Sequence, residues 1–163
     1  MKLFSASIVV KKQYIYPDSN ESGNMSGKLI EYFNKQPRLG VISTSGKDGT
    51  VDSAVYGSPQ MIDDKTVQVA FARGRTFSNL LENPHAVYMI LEPGVGLLDW
   101  KGVRVYMKMK EYVTSGPRLD EYRSQMAKVV GELAAGMIAV LGTFEVTEVR
   151  PLVDFGQGWE TGI

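Results

Sequence analysis

The chain has no cysteine and a single histidine, His85, among its 163 residues. Without thiols there is no disulfide framework, no thiolate nucleophile and no cysteine metal site. One imidazole gives no basis for a histidine-built metal centre or a Ser-His-Asp triad, so no metal is expected. Neither sign of charge prevails, with 18 Lys and Arg against 18 Asp and Glu. A balanced chain carries no electrostatic footprint for nucleic acid. No apolar run approaches the roughly 18–20 residues of a membrane span. Leu3 to Val10 is mildly apolar, but Ser5 and Ser7 interrupt it and Lys11-Lys12 follow without a small-residue cleavage site. It is not read as a signal peptide. Neither nucleic acid nor membrane is expected as a partner, and the expected location is cytoplasmic.

What is present is the make-up of one globular domain with a true core: 44% hydrophobic and 22% charged residues. Seventeen glycines, with many Val, Tyr and Thr, favour sheet. Residues 1–24 are set apart as an N-terminal extension or arm. Within them 3–10 has the pattern of a short strand, and 14–24, with Pro17, Asn20 and Gly23, that of a linker. The domain proper is expected over 25–163.

Along the domain, the apolar spacing of Leu29, Ile30 and Phe33 predicts a helix from Ser26 to Lys35. Strands are expected over 38–45 and 50–58, joined by Gly46-Lys47-Asp48-Gly49 and closed by Pro59. Asp63-Asp64 and Asp48 are turn residues before they are metal ligands. A strand over 65–73 sets Val67, Val69 and Phe71 against Gln68, Ala70 and Ala72. A short helix from Thr76 to Glu82 stops at Asn83-Pro84, and a strand over 86–91 follows. Residues 100–114 alternate Val103, Val105, Met107 and Met109 with Arg104, Tyr106, Lys108 and Lys110, a half-buried strand. The longest helix opens at Ser115-Gly116-Pro117 and runs to Leu133, with Leu119, Tyr122, Met126, Val129, Val130 and Leu133 as its apolar stripe. The last strand is expected over 137–149. Six strands joined mainly by turns argue for an antiparallel barrel with peripheral helices. The tail, with Phe155 and Trp159 among glycines, has a composition suited to packing across a partner surface.

Residues 67–89 organise this pattern, because there a strand passes through Arg73-Gly74-Arg75-Thr76 into a helix. A helix start offers unpaired N–H groups and partial positive charge, which suits an anion. Arg73 and Arg75 add planar forks that match phosphate oxygens, and Thr76, Ser78 and Asn79 add polar groups within seven residues. The same residues also read as an ordinary solvated loop with Thr76 as N-cap. His85, just after the proline, reads as a surface or interface residue.

Taken together, 39–45, Asp52-Ser53-Ala54-Val55-Tyr56, Arg75 to Pro84 and Lys101-Gly102-Val103-Arg104-Val105 resemble, in order and spacing, the pyridoxamine 5'-phosphate oxidase-like, FMN-binding split β-barrel proteins. The resemblance covers roughly 26–152. It implies a mainly β, six-stranded antiparallel split β-barrel of Greek-key type with peripheral helices. It implies FMN as cofactor and a homodimer with FMN at the interface. Arg75 would hold the phosphate; Thr76 stands where the family often has Lys, so Arg73, Ser78 and Asn79 would complete the shell. The strand backbone at Ala54, Val55, Tyr56 and Gly57 would face the polar edge of the isoalloxazine, and Val69, Ala70 and Phe71 would line the ribityl and ring region. Trp100 or Lys101 would reach the flavin of the other subunit, and Gly102 occupies a position where family oxidases carry Gln. Arg and His groups that grip pyridoxamine phosphate in the family tail are missing after Arg150, which counts against that substrate.

Two functions follow from the resemblance. One is an FMN-dependent oxidoreductase with an undefined substrate and a small-molecule or nicotinamide electron donor. The other is a non-catalytic flavin carrier or sensor. A barrel that binds deazaflavin or haem is a third, against which the single histidine counts for ordinary His-ligated haem.

Overall fold

The computed structural model describes residues 25–96 and 98–163; the N-terminal extension, with its strand and linker assignments, lies outside the described residues. The elements run α1 (Met25–Asn34), β1 (Leu39–Ser45), β2 (Val51–Val55), β3 (Gln60–Asp63), β4 (Thr66–Phe71), α2 (Arg75–Glu82), β5 (His85–Glu92), β6 (Lys101–Val113), α3 (Pro117–Val130), α4 (Glu132–Gly136) and β7 (Val140–Pro151). A 3-10 turn, Trp159–Gly162, follows.

All paired strands are antiparallel, in one sheet of order β2-β1-β5-β6-β7-β4-β3. The two edge strands are consecutive in sequence, so the sheet bends round into a split β-barrel joined by residues 56–59. The inward row follows the alternation of each strand: Ile42 on β1, Val67, Val69 and Phe71 on β4, Tyr88 and Ile90 on β5, Val103, Val105 and Met107 on β6, and Phe144 on β7 are all buried. Helix α1 closes the end near Leu39 with Leu29 and Phe33; α2 closes the other with Phe77 and Leu80. Hydrogen bonds place the helices at those ends, since Lys35 reaches Glu92 whereas Asn79 and Asn83 reach Thr44 and Ser45.

Seven strands stand where six are expected. The second strand stops at Val55 and resumes as β3. The break has a tertiary cause: Arg38 donates to the carbonyls of Gly57 and Pro59, pulling the chain inward between the two strands. The long helix is also divided. Gly131, at φ 87°, ends α3 and begins α4, a conformation that glycine adopts without a Cβ penalty. Its expected apolar stripe is not a core face. Only Leu119 of α3 is buried, whereas Val129 and Val130 are half exposed and Leu133 is 87% exposed. The tail also departs from expectation, because Trp159 and Ile163 pack on this chain's own barrel core.

Candidate functional site

Helix α2 begins one residue earlier than the pattern suggests, with Gly74 as an extended N-cap that makes no side-chain capping bond. Thr76 is therefore not the cap. It is buried, and its hydroxyl donates to Asp52 on β2 at 3.3 Å. The first intrahelical bond is Ser78 N–H to Gly74 O, so the N–H groups of Arg75, Thr76 and Phe77 precede the ladder and point out of the helix start.

Among the expected phosphate ligands the structure draws a division. Arg73 and Arg75 are exposed, and neither forms an ion pair among the described residues. The others are engaged in the fold. Ser78 Oγ donates back to Gly74 O at 3.1 Å, and Asn79 Nδ2 donates to Thr44 Oγ1 at 3.1 Å. The anion-seeking groups left at the turn are two guanidiniums and the helix N-terminus.

An open cleft of about 530 Å³ lies between the β1–β2 hairpin turn and α2, lined by Lys47, Asp48, Arg75, Asn79 and Glu82 among others. The turn is tied to the helix by the Lys47 N–H, which donates to Glu82 Oε2 at 2.9 Å. Asp48 accepts from the Thr50 N–H and hydroxyl, and these bonds hold its carboxyl below the usual carboxylate range. Asp48 is thus a turn-forming residue, as its setting in the sequence suggests.

Beside the turn runs β2, an edge strand with one hydrogen-bonding edge unpaired among the described residues. Ala54 and Tyr56 are half-buried and Val55 is 70% exposed. Tyr56 has its backbone engaged: its N–H donates to Gly40 O at 2.9 Å and its C=O accepts from the Tyr88 hydroxyl at 2.8 Å. Gly57 is exposed, and its carbonyl accepts from Arg38. Three further expected contacts, Val69, Ala70 and Phe71, present no side chain to the turn. Val69 and Phe71 belong to the barrel core, and Ala70 packs under Leu119 and Leu141.

Trp100, Lys101 and Gly102 lie at the far end of the sheet. Lys101 pairs with Glu92 and Lys108 with His85. The eight residues of β5 separate the two ends by about 23 Å at 3.3 Å per residue. Within one chain these three residues and the α2 turn do not meet. Gly102 has φ 148°, and a Cβ there would fall 2.0 Å from Ile90 O. The glycine is thus demanded by the backbone, which excludes the Gln of the family oxidases in this conformation.

Of the four basic residues along β6, Lys101, Arg104, Lys108 and Lys110, two are paired within the described residues. Arg104 pairs with Asp154 at 2.8 Å and Lys110 with Glu145 at 3.1 Å. Two acids take roles that the sequence reading does not give them: Asp52 accepts from Thr76, distant in the chain, and Asp154 pairs with distant Arg104 and with Arg150 four residues before it. The outer face of β1, β2, β5 and β6 holds a second groove of about 320 Å³, lined by Val51, His85, Val87 and Tyr106 among others. His85 is exposed on that face.

The fold recurs in solved structures. An FMN-binding protein from Syntrophomonas wolfei superposes with TM-score 0.64 at 20% identity, over 80% of this chain and 86% of that one. A pyridoxamine 5'-phosphate oxidase assignment from Lactobacillus delbrueckii gives 0.53 at 17% identity, over 78% and 94%. The haem storage protein HutZ from Vibrio cholerae gives 0.54 at 19% identity, over 82% and 96%. No protein-family profile matches the chain, and no curated protein matches it in sequence. The chain therefore has the split-barrel fold found in pyridoxamine 5'-phosphate oxidase-like, FMN-binding proteins.

Proposed function

We propose that this split barrel binds FMN and works as an oxidoreductase in a homodimer, with one flavin site at each end of the subunit interface. The observation that carries the reading is the α2 turn, where, among the described residues, Arg73 and Arg75 have no ion-pair partner at a helix N-terminus without a side-chain cap, beside the open edge of β2. These residues fit the cofactor. The two guanidiniums and the first-turn N–H groups would hold the phosphate. The β2 backbone from Ala54 to Gly57 would meet the polar edge of the ring system. When bound, FMN supplies two-electron redox chemistry; the protein binds, orients and shields it. One compact phosphate turn favours FMN over a dinucleotide.

The dimer reading rests on the outer sheet face. Val51 and Val55 are 70% exposed and Leu39 is 49% exposed, and Val41, Val87 and Met89 lie half-buried between them. Leu39, Val41, Val55, Val87 and Met89 form an apolar patch that the hydrogen-bonded Ser43–Ser53 pair separates from Val51, and such a largely apolar face suits an isologous partner. A two-fold that sets the two β5 strands antiparallel would bring the Trp100–Lys101 end of one subunit over the α2 turn of the other. That arrangement reconciles the 23 Å separation with a shared site.

Among the described residues no helix is long and apolar enough to cross a membrane; with no cysteine in the chain, we assign the protein to the cytoplasm. The visible spectrum of the purified protein, with chromatography of the extracted cofactor, tests the flavin. FMN supports the reading. FAD, a haem Soret band or no chromophore in folded protein would overturn it. Anaerobic addition of NADH or NADPH then separates oxidoreductase from carrier or sensor: bleaching of the flavin bands and turnover with an added acceptor mark the enzyme.

A further inference from the structure

Helix α2 and the β1–β2 turn enclose a cleft that the flavin reading leaves without a ligand. Arg75, Asn79 and Glu82 stand at i, i+4 and i+7, so one face of the helix carries all three, and the turn forms the opposite wall. The cleft's volume of about 530 Å³ falls within the range of about 300–1,000 Å³ usual for small-molecule sites. Every residue that lines it is polar or glycine, so it has no aromatic or aliphatic wall. The chain leaves the cleft at Thr50, meets Thr76 through Asp52, and only then reaches Ala54 to Gly57, where the flavin ring is placed.

The lining divides into donors and acceptors. Lys47 and Arg75 are exposed cations, and neither has an ion-pair partner among the described residues. Glu82 spends Oε2 on the Lys47 N–H, which leaves Oε1 to accept. Asn79 spends Nδ2 on Thr44, which leaves Oδ1 to accept. Asp48, by contrast, is engaged by Thr50 through both its oxygens. The acceptors converge on the buried Gly46: a Cβ there would stand 3.3 Å from Glu82 Oε2 and 3.6 Å from Asn79 Oδ1. Glycine keeps that corner open.

We propose that this cleft is a ribose-phosphate subsite, distinct from the flavin turn, in which Lys47 and Arg75 hold a phosphate and Glu82 and Asn79 accept from sugar hydroxyls. A phosphate needs cations, and the hydroxyls beside it need acceptors; a carboxylate is the usual acceptor for a ribose hydroxyl. A lining without apolar surface gives a base or an acyl chain nothing to rest on, so the ligand is recognised through its sugar phosphate alone. Only Arg75 is shared with the flavin reading. Its guanidinium carries five N–H donors and can serve an anion on each side. The Lys47 and Glu82 contacts do not depend on that reading. A reduced nicotinamide dinucleotide and a free sugar phosphate both carry the group that this site would take.

Equilibrium dialysis with ribose 5-phosphate, methyl phosphate and ribose tests the subsite, on the full chain with and without bound FMN. Ribose 5-phosphate should bind roughly tenfold more tightly than either fragment, because a site that pairs hydroxyls rejects an analogue without them. AMP should bind no more tightly than ribose 5-phosphate, since its base finds no apolar wall; a marked preference for AMP overturns recognition through the sugar phosphate alone. Lys47→Met should weaken ribose 5-phosphate and methyl phosphate alike. Glu82→Gln, which keeps an oxygen for the Lys47 N–H, and Gly46→Ala, which fills the corner, should bring ribose 5-phosphate down to the level of methyl phosphate. Equal binding of the two phosphates by the wild type overturns the subsite. So does unchanged ribose 5-phosphate binding in Lys47→Met, or in both Glu82→Gln and Gly46→Ala. If FMN displaces ribose 5-phosphate one for one, the cleft is part of the flavin site, which overturns the separate subsite and leaves the flavin reading standing. Selective binding of ribose 5-phosphate by a protein that takes no flavin sustains the subsite and overturns the flavin reading instead. With FMN loaded, displacement of ribose 5-phosphate by NADH marks a nicotinamide dinucleotide as the source of the group; its retention marks a free sugar phosphate.

Discussion

Gly40 and Tyr88 share one space: a Cβ on Gly40 would fall 1.8 Å from the Tyr88 hydroxyl oxygen. That hydroxyl accepts from Arg38 Nε at 3.1 Å and donates to Tyr56 O at 2.8 Å. Arg38 in turn stacks over the Phe33 and Tyr88 rings and gathers the carbonyls of Phe33, Gly57 and Pro59. One guanidinium and one phenol thus join α1, β1, β5 and the β2–β3 link. Gly40→Ala should displace the ring from this joint and cost about 1–3 kcal/mol, the usual range for overpacking. Urea unfolding measures it; an unchanged midpoint would show that the barrel gives way more easily than this packing implies.

The same phenol gives the protein an alkaline limit. Burial pushes the Tyr88 hydroxyl above its ordinary value, partly countered by Arg38. Burial, with the Glu92 carboxylate, pushes Tyr32 up further. Both groups stay neutral in the fold where the unfolded chain ionises, near pH 10. The unfolded state then binds fewer protons, so stability falls as pH rises above about 10 toward the folded values. Thermal melts across pH 8–11 should show this fall. Tyr32→Phe, which removes one of these ionisations, should flatten it.

The barrel was legible in the sequence wherever a strand alternates over many residues. The 101–113 strand is the plainest case, because Val103, Val105 and Met107 each face the core. β3 was not legible, since the carbonyls of Gly57 and Pro59 after Val55 are taken by Arg38, which stands just before β1 and which no local spacing links to them. Thr76 illustrates the same limit at the site. A hydroxyl at a helix start looks like a cap, but here Asp52 takes it, and no local spacing marks that acid. The α3 stripe shows the opposite failure. Periodicity reports an apolar face without reporting whether anything covers it, and Leu133 is left bare. Arg73 and Arg75 could be picked out because a strand end, a glycine and a helix start are all local signals.

Arg75→Ala should weaken FMN binding roughly ten- to hundred-fold, the equivalent of about 1.5–3 kcal/mol for a charge-assisted contact. Lys108→Ala, on the outer strand face beside His85 in register, should change it far less. Titration of the two apoproteins with FMN compares them directly. Equal affinities would remove the α2 turn as the phosphate grip.

Gly102→Gln would place at this position the side chain that family oxidases carry there. In this chain it should harm the fold, because the backbone at φ 148° is strained for any L side chain and Ile90 O occupies the Cβ position. A lowered melting temperature with no gain in flavin affinity is expected. A variant that melts normally and binds FMN more tightly would mean that β6 can shift its register here.

The outer sheet face should be the dimer interface. Val51 ends the β1–β2 ladder opposite Ser45, and Leu39 opens β1 opposite Leu91 of β5; both point away from the core, with the half-buried Val41, Val87 and Met89 on the same face. Neither contributes to the barrel interior, so charging them costs a lone subunit little. Buried between two copies, an unpaired carboxylate is costly, and a two-fold axis makes every substitution count twice. Leu39→Glu/Val51→Glu should therefore reduce the mass in solution from a dimer to the 18.0 kDa chain while the far-ultraviolet circular dichroism of the barrel is kept. Flavin affinity should fall with it, because the α2 turn would keep the phosphate but lose the partner's cover over the ring. A charged variant that stays dimeric would move the interface elsewhere. One that becomes monomeric yet binds FMN as tightly as wild type would confine the whole site to a single chain.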